Sequence, residues 1–175
     1  SHASRRRADR SRRVTWATFP NPVNEVAARL VAGGVAVVAV AAVAGHQPWL
    51  SVPLAYGFVA RVVAGPLFSP WALVVTRFIV PRLAVAERPV PGPPKRFAQG
   101  IGATLTTAAV ISHFALGWTT PCLVLLGLVA AAATLESVLA FCVGCRVFSL
   151  LMRTGIIPPA VCEACSNLQL GPVEH

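Results

Sequence analysis

The chain has 175 residues, 55% of them hydrophobic and only 12% charged, against about 25% charged in an ordinary soluble domain. Its mean hydropathy of +0.68 exceeds what one small soluble core buries and points to a single domain with little outside a bilayer. The net charge of +9 does not argue for nucleic acid, because the basic residues sit beside apolar runs and no RNA- or DNA-reading motif accompanies them.

Residues 1–18 are rich in Arg, Ser and Ala without apolar periodicity, and read as a disordered or lipid-hugging segment. Arg5, Arg6, Arg7, Arg10, Arg12 and Arg13 are suited to anionic lipid head groups. The opening Ser1-His2 suggests a trimmed or replaced start. Arg12-Arg13 ahead of an apolar run ending in Ala42-Val43-Ala44 mimics a twin-arginine signal, but the run is too long and Pro20 and Pro22 intervene, so cleavage is not expected.

The first helix is expected to start with Asn21 as N-cap and Pro22 in the first turn, and to span from Val26 to Ala44. Glu25 and Arg29, four apart, are expected to pair at the membrane surface. Gly45-His46-Gln47-Pro48 is a charge-free turn, and a second span runs from Trp49 to about Ala64. Trp49 and Trp118 fit an outer aromatic belt. A short helix, Trp71 to Val80, is expected to lie in the interface. Pro81 to Pro94 is expected to be extended. A third span, about Phe97 to Leu116, leads through the charge-free turn Gly117-Trp118-Thr119-Thr120 into a fourth. Thr120 and Pro121 cap that span, which is expected to run from Cys122 past Cys145 to Arg153, with Gly155 as its stop.

The predicted fold class is therefore all-α: an integral membrane bundle of four transmembrane helices, a short interfacial helix and a Cys-containing cytoplasmic tail. Residues 1–18, 19–155 and 156–175 form the basic segment, the membrane domain and the tail. The two turns on one side hold no Lys or Arg, whereas Arg77, Arg82, Arg88, Lys95, Arg96, Arg146 and Arg153 fall on the other. By the positive-inside rule both termini are cytoplasmic.

Chemistry is carried by cysteines. Cys142 and Cys145 form one C-x-x-C, and Cys162 and Cys165 a second after sixteen intervening residues. Two such clips can place four thiolates around zinc, or around an iron–sulfur cluster. They can also act as redox dithiols, with Cys142 and Cys145 as the reactive pair and Cys162 and Cys165 resolving or relaying. Cys122 reads as a small buried residue, and His46 and His113 as polar packing. Arg61 and Glu136 lie deep in spans and are expected to pair, locking two helices together; a proton or ion relay through them is the alternative.

Phe19-Pro20-Asn21-Pro22-Val23-Asn24-Glu25, Leu54 to Arg61, Pro91-Gly92-Pro93-Pro94-Lys95-Arg96-Phe97-Ala98-Gln99-Gly100 and Phe141-Cys142-Val143-Gly144-Cys145 together resemble an actinobacterial family of small membrane proteins of unassigned activity. The resemblance covers about residues 19–165. It implies a bacterial plasma-membrane location, and its association with thioredoxin-like proteins and sulfurtransferases implies a thioredoxin-like or rhodanese-like partner. The expected function is thiol–disulfide or sulfur transfer on the cytosolic face. A membrane scaffold with a structural zinc site, or a small transporter, is the alternative.

Overall fold

The computed structural model describes residues 23–83, 86, 88–90 and 92–158. The Arg5–Arg13 cluster, the Asn21-Pro22 cap, Cys162 and Cys165 lie outside the described residues. Helix α1 (Glu25–Ala44) begins later than Asn21 suggested: Asn24 is the N-cap, and its Oδ1 accepts the Val26 N–H at 3.0 Å. Strand pairing explains the shift. β1 (Val23–Asn24) pairs antiparallel with β2 (Pro89–Val90), which holds Val23 and Asn24 extended, and the Glu25 N–H donates to the Arg88 carbonyl at 2.9 Å.

A short 3-10 turn, Pro48–Leu50, leads into α2 (Ser51–Ala64), which ends at Gly65 with φ of 70°. Next come α3 (Pro70–Val74), a π-turn (Val75–Ile79) and α4 (Val80–Leu83). Pro81 is thus helical, against expectation. The carbonyl that its ring would strike in an α-helix is that of Arg77, four residues back, and Arg77 lies in the wider π-turn. Pro93 and Pro94 are also helical, in the first turn of α5 (Gly92–Val110), where no N–H is required of them. A π-turn (Ile111–Ala115) ends that helix, and α6 (Thr119–Leu139) starts with Trp118 rather than Thr120 at its N-cap.

The core forms where α1 packs along α6 and α2 along α5, with α5 also against α6. Val35, Ala36, Ala39 and Ala42 meet Leu126, Val129, Ala130 and Ala133, with Leu54, Phe58 and the fully buried Cys122 completing the cluster. Small residues let α1 and α6 approach closely. The chain is mostly helical, as expected. By length and composition, two helices, α1 and α6, can cross a membrane; α2 is shorter, and α5 carries Lys95, Arg96 and Gln99. Only 39% and 28% of the apolar windows of α1 and α6 are buried, and Val37, Val40, Val63, Val124 and Val138 all lie exposed.

The decisive departure from expectation is at the end of α6. No helix continues from Cys122 to Arg153. Ala140 is left-handed, φ 54° and ψ 23°, which costs a non-glycine residue about 1–2 kcal/mol. A clamp from α1 favours the break. Arg29 donates through Nε and Nη2 to the Ser137 carbonyl at 3.1 and 2.9 Å, and through Nη2 to the Val138 carbonyl at 3.1 Å. Those carbonyls would otherwise accept the N–H groups of residues 141 and 142 in a continuing helix. The expected Glu25–Arg29 pair is not formed, because Arg29 is committed to α6.

Arg29→Ala is expected to cost about 1.5–3 kcal/mol, the range for hydrogen bonds to a charged group, measured by reversible denaturation in detergent. Ala140→Gly should leave stability unchanged or raise it by up to about 1 kcal/mol as the left-handed strain is relieved.

Candidate functional site

Because α6 stops, a new helix, α7 (Val143–Arg153), begins with Cys142 as its N-cap and Cys145 in its first turn. The two cysteines are therefore not stacked on the face of one long helix, as their spacing suggested. They sit across a helix start. Gly144 explains how that start is seated: a Cβ there would lie 2.5 Å from both Cα and Cβ of Ala98 on α5. One turn on, Phe148 packs on Phe97 with ring centroids 5.6 Å apart. Glycine inside the C-x-x-C is thus a packing requirement.

Both thiols are free and partly buried. The Cys142 thiol is lowered to about 7, first because the Cys145 thiol donates toward its sulfur. Burial and Glu136 oppose the shift, while the Cys145 N–H and the Lys95 ammonium assist it. Cys145 is pushed upward, first by the hydrogen bond that it gives to Cys142, then by burial and by the charge on Cys142. The pair divides into a nucleophile ionised near neutral pH and a partner held protonated.

The ionic surroundings differ from those expected. Glu136 pairs with Lys95, Nζ to Oε1 2.5 Å, with side chains only 11% and 15% exposed. Arg61 is not its direct partner. The Arg61 guanidinium donates Nε to Gln99 Oε1 at 2.9 Å and Nη1 to Ser69 Oγ at 3.2 Å, and lies over the Phe58 ring at 4.6 Å. The hairpin geometry gives the reason. α5 and α6 are joined by the tight turn around Gly117, so Lys95 and Glu136, at similar chain distances from it, arrive side by side. The chain distances of Lys95 and Glu136 from Gly117 carry that signal in the sequence.

Arg61, Gln99, Glu136 and Cys142 all line one cavity of about 380 Å³. Its other walls come from α1, α2, α5 and α6 and are chiefly apolar, including Val35, Phe58, Leu105 and Val129. Glu136 and Cys142, six residues apart and so on different faces of a continuous helix, are brought to one space by the break at Ala140. Among the described residues no three His, Cys, Asp or Glu side chains gather as a metal site; a four-thiolate site would need Cys162 and Cys165.

A family model described as a domain of unknown function, DUF4395, matches residues 23–153. The chain belongs to this family. The DUF4395 stretch holds Arg29, Arg61, Lys95, Gln99, Glu136, Cys142 and Cys145 and ends before Cys162. Every group around the cavity is therefore internal to the DUF4395 domain, and the second cysteine pair is outside it. No curated protein and no solved structure matches the chain.

The rate of Cys142 alkylation by iodoacetamide should rise with pH through a midpoint of about 7, below the ordinary thiol value of about 8.5. Lys95→Met removes a lowering charge and should move the midpoint up. Glu136→Gln removes a raising charge and should move it down. Peptide mapping of the alkylated protein over pH 5–9 reads both directions.

Proposed function

We propose that this is a four-span protein of the bacterial plasma membrane whose Cys142/Cys145 dithiol exchanges a disulfide, or a persulfide sulfur, with a soluble thioredoxin-like or rhodanese-like partner. In this reading α1, α2, α5 and α6 are the spans, and both termini are cytoplasmic. The exposed valines and leucines of α1, α2 and α6 support lipid contact, since a soluble protein rarely leaves so much contiguous apolar surface uncovered. The segment Pro48–Ala64 lies within the range of about 17–25 residues that spans a bilayer. The charge-free turns at Gly45 and Gly117 lie at one end; Arg88, Lys95, Arg96 and Arg146 lie toward the dithiol.

The observation that carries the reading is the placing of two free thiols across a helix start, with Cys142 at the N-cap and Cys145 in the first turn. Cys142, at a helix start and near a lysine, is the attacking group. Its thiolate attacks one sulfur of a partner disulfide, forming a mixed disulfide and releasing one partner thiolate. Cys145 then loses its proton and attacks the Cys142 sulfur. That step forms the internal disulfide and releases the second partner thiol, so the protein loses the two electrons that the partner gains. Run backwards, the same steps reduce the protein. With a persulfide donor, the Cys142 thiolate takes the outer sulfur and the donor leaves as a thiolate.

Cys145→Ser should trap a mixed disulfide through Cys142 with an oxidised thioredoxin-fold protein, visible by mass spectrometry without reductant. Cys142→Ser with Cys145→Ser should abolish both the adduct and exchange. Unchanged exchange in that double variant would sink the proposal.

A further inference from the structure

We infer that the cavity beside Cys142 is a binding site for a lipophilic quinone, the electron acceptor of the Cys142/Cys145 dithiol. The inference rests on reading that pair as a redox dithiol and adds its second substrate.

Four observations carry it. The cavity holds about 380 Å³, within the usual size of small-molecule sites of about 300–1,000 Å³. Its walls are apolar except for a few convergent polar groups, the composition such sites have. Cys142, Val143 and Gly144 at the start of α7 form part of the lining, so the nucleophile borders an apolar space as well as water.

The third observation is Arg61, only 6% exposed. Of the five N–H groups of a guanidinium, one serves Gln99 and one serves Ser69. The others have no acceptor among the described residues, and no buried nitrogen is sealed without a partner. Nη2, which has no acceptor, therefore touches open volume, and Arg61 lines both this cavity and a second one of about 590 Å³ on the Ser69 side. Gln99 likewise gives its carbonyl oxygen to Arg61 and keeps its amide N–H groups. A buried cation with spare donors, next to an amide with spare donors, is suited to a carbonyl oxygen that gains negative charge during reaction. Lys95 neutralises the one carboxylate in the lining, so Glu136 does not repel such an oxygen.

The fourth is access. Leu128, Ala131 and Leu135 line the cavity and are themselves exposed on the outer apolar side of α6. A ligand arriving there comes from the lipid phase. A fatty acyl chain would match the walls but would leave the thiol with nothing to do, whereas a quinone uses the walls, the donors and the sulfur together.

The reaction balances. The Cys142 thiolate adds to a ring carbon of the quinone, forming a C–S bond and placing the electron pair on a ring oxygen held by Arg61 and Gln99. The Cys145 thiolate attacks the Cys142 sulfur; an S–S bond forms, the C–S bond breaks, and its electron pair stays on the ring. The two thiol protons end on the two ring oxygens. The dithiol is oxidised to a disulfide and the quinone is reduced to a quinol, and a soluble thiol partner restores the dithiol.

The test uses the full chain, reduced, in anaerobic lipid nanodiscs, mixed with a short-tailed benzoquinone. Quinol is followed by absorbance, thiols are counted, and diamide is run in parallel as a general thiol oxidant. The expected result is one quinol per two thiols lost, with a Cys142–Cys145 disulfide. The quinone rate relative to the diamide rate should fall at least tenfold in Gln99→Leu and in Arg61→Met. If Arg61→Met does not fold, the Gln99→Leu ratio decides alone. Cys145→Ser should accumulate a thioether between Cys142 and the ring. If diamide forms the disulfide and quinone does not, or the ratio is unchanged in both variants, the quinone site is wrong and the dithiol reading stands. Arylation without disulfide in the native chain also overturns the site. If neither oxidant forms the disulfide, both readings fall.

Discussion

The arrangement at this end of the bundle depends on one arginine holding two carbonyls. Arg29 reaches from α1 to Ser137 and Val138 and satisfies backbone groups that a continuing helix would need. Ala140 then turns left-handed and α7 starts in a new direction. Without that reversal Cys142 would be a mid-helix residue with its backbone N–H bonded. With it, Cys142 stands at a helix N-terminus, where the partial positive charge of free N–H groups favours a thiolate. A structural hydrogen bond and a chemical property are thus linked through a single change of chain direction.

The charges around the cavity are organised so that no two of the same sign are left bare. Lys95 covers Glu136, and Arg61 is held by neutral partners, Gln99 and Ser69, with the Phe58 ring beneath it. Burying a carboxylate and an ammonium singly would cost several kcal/mol each, and pairing offsets most of that. The guanidinium keeps a net positive charge facing apolar space. A buried cation held only by neutral partners is the less stable choice for a bare bundle.

Much of the fold was legible because its signals are strong. The apolar runs gave α1 and α6, and the glycines at 45 and 117 marked turns. The break at Ala140 was not legible, because Leu139-Ala140-Phe141 contains no glycine or proline and alanine favours helix; the cause lies on α1. Nor were the helical prolines. Pro81 depends on a π-turn and Pro93-Pro94 on where α5 begins, both decided by neighbours. Of the site, Cys142, Cys145, Arg61 and Glu136 stood out by residue type, yet the cavity that unites Cys142, Arg61 and Glu136 needs five helices. Lys95, Gln99 and Gly144 were present in quoted motifs without assigned roles. Their roles exist only through partners on other helices.

The longest-range packing in this domain is also among its most extensive. α1 and α6 are partners, and the Arg29 contacts cross a separation of 108 residues. During synthesis α1 emerges first, with its small-residue face and its arginine uncovered, and α6 emerges nearly last. Contacts of such separation form late and carry the loop-closure cost of everything between them. A nascent chain halted before α6 therefore displays an unpaired guanidinium and an uncovered alanine stripe, and both are covered only when α6 arrives. Completion of the chain and concealment of those features are the same event.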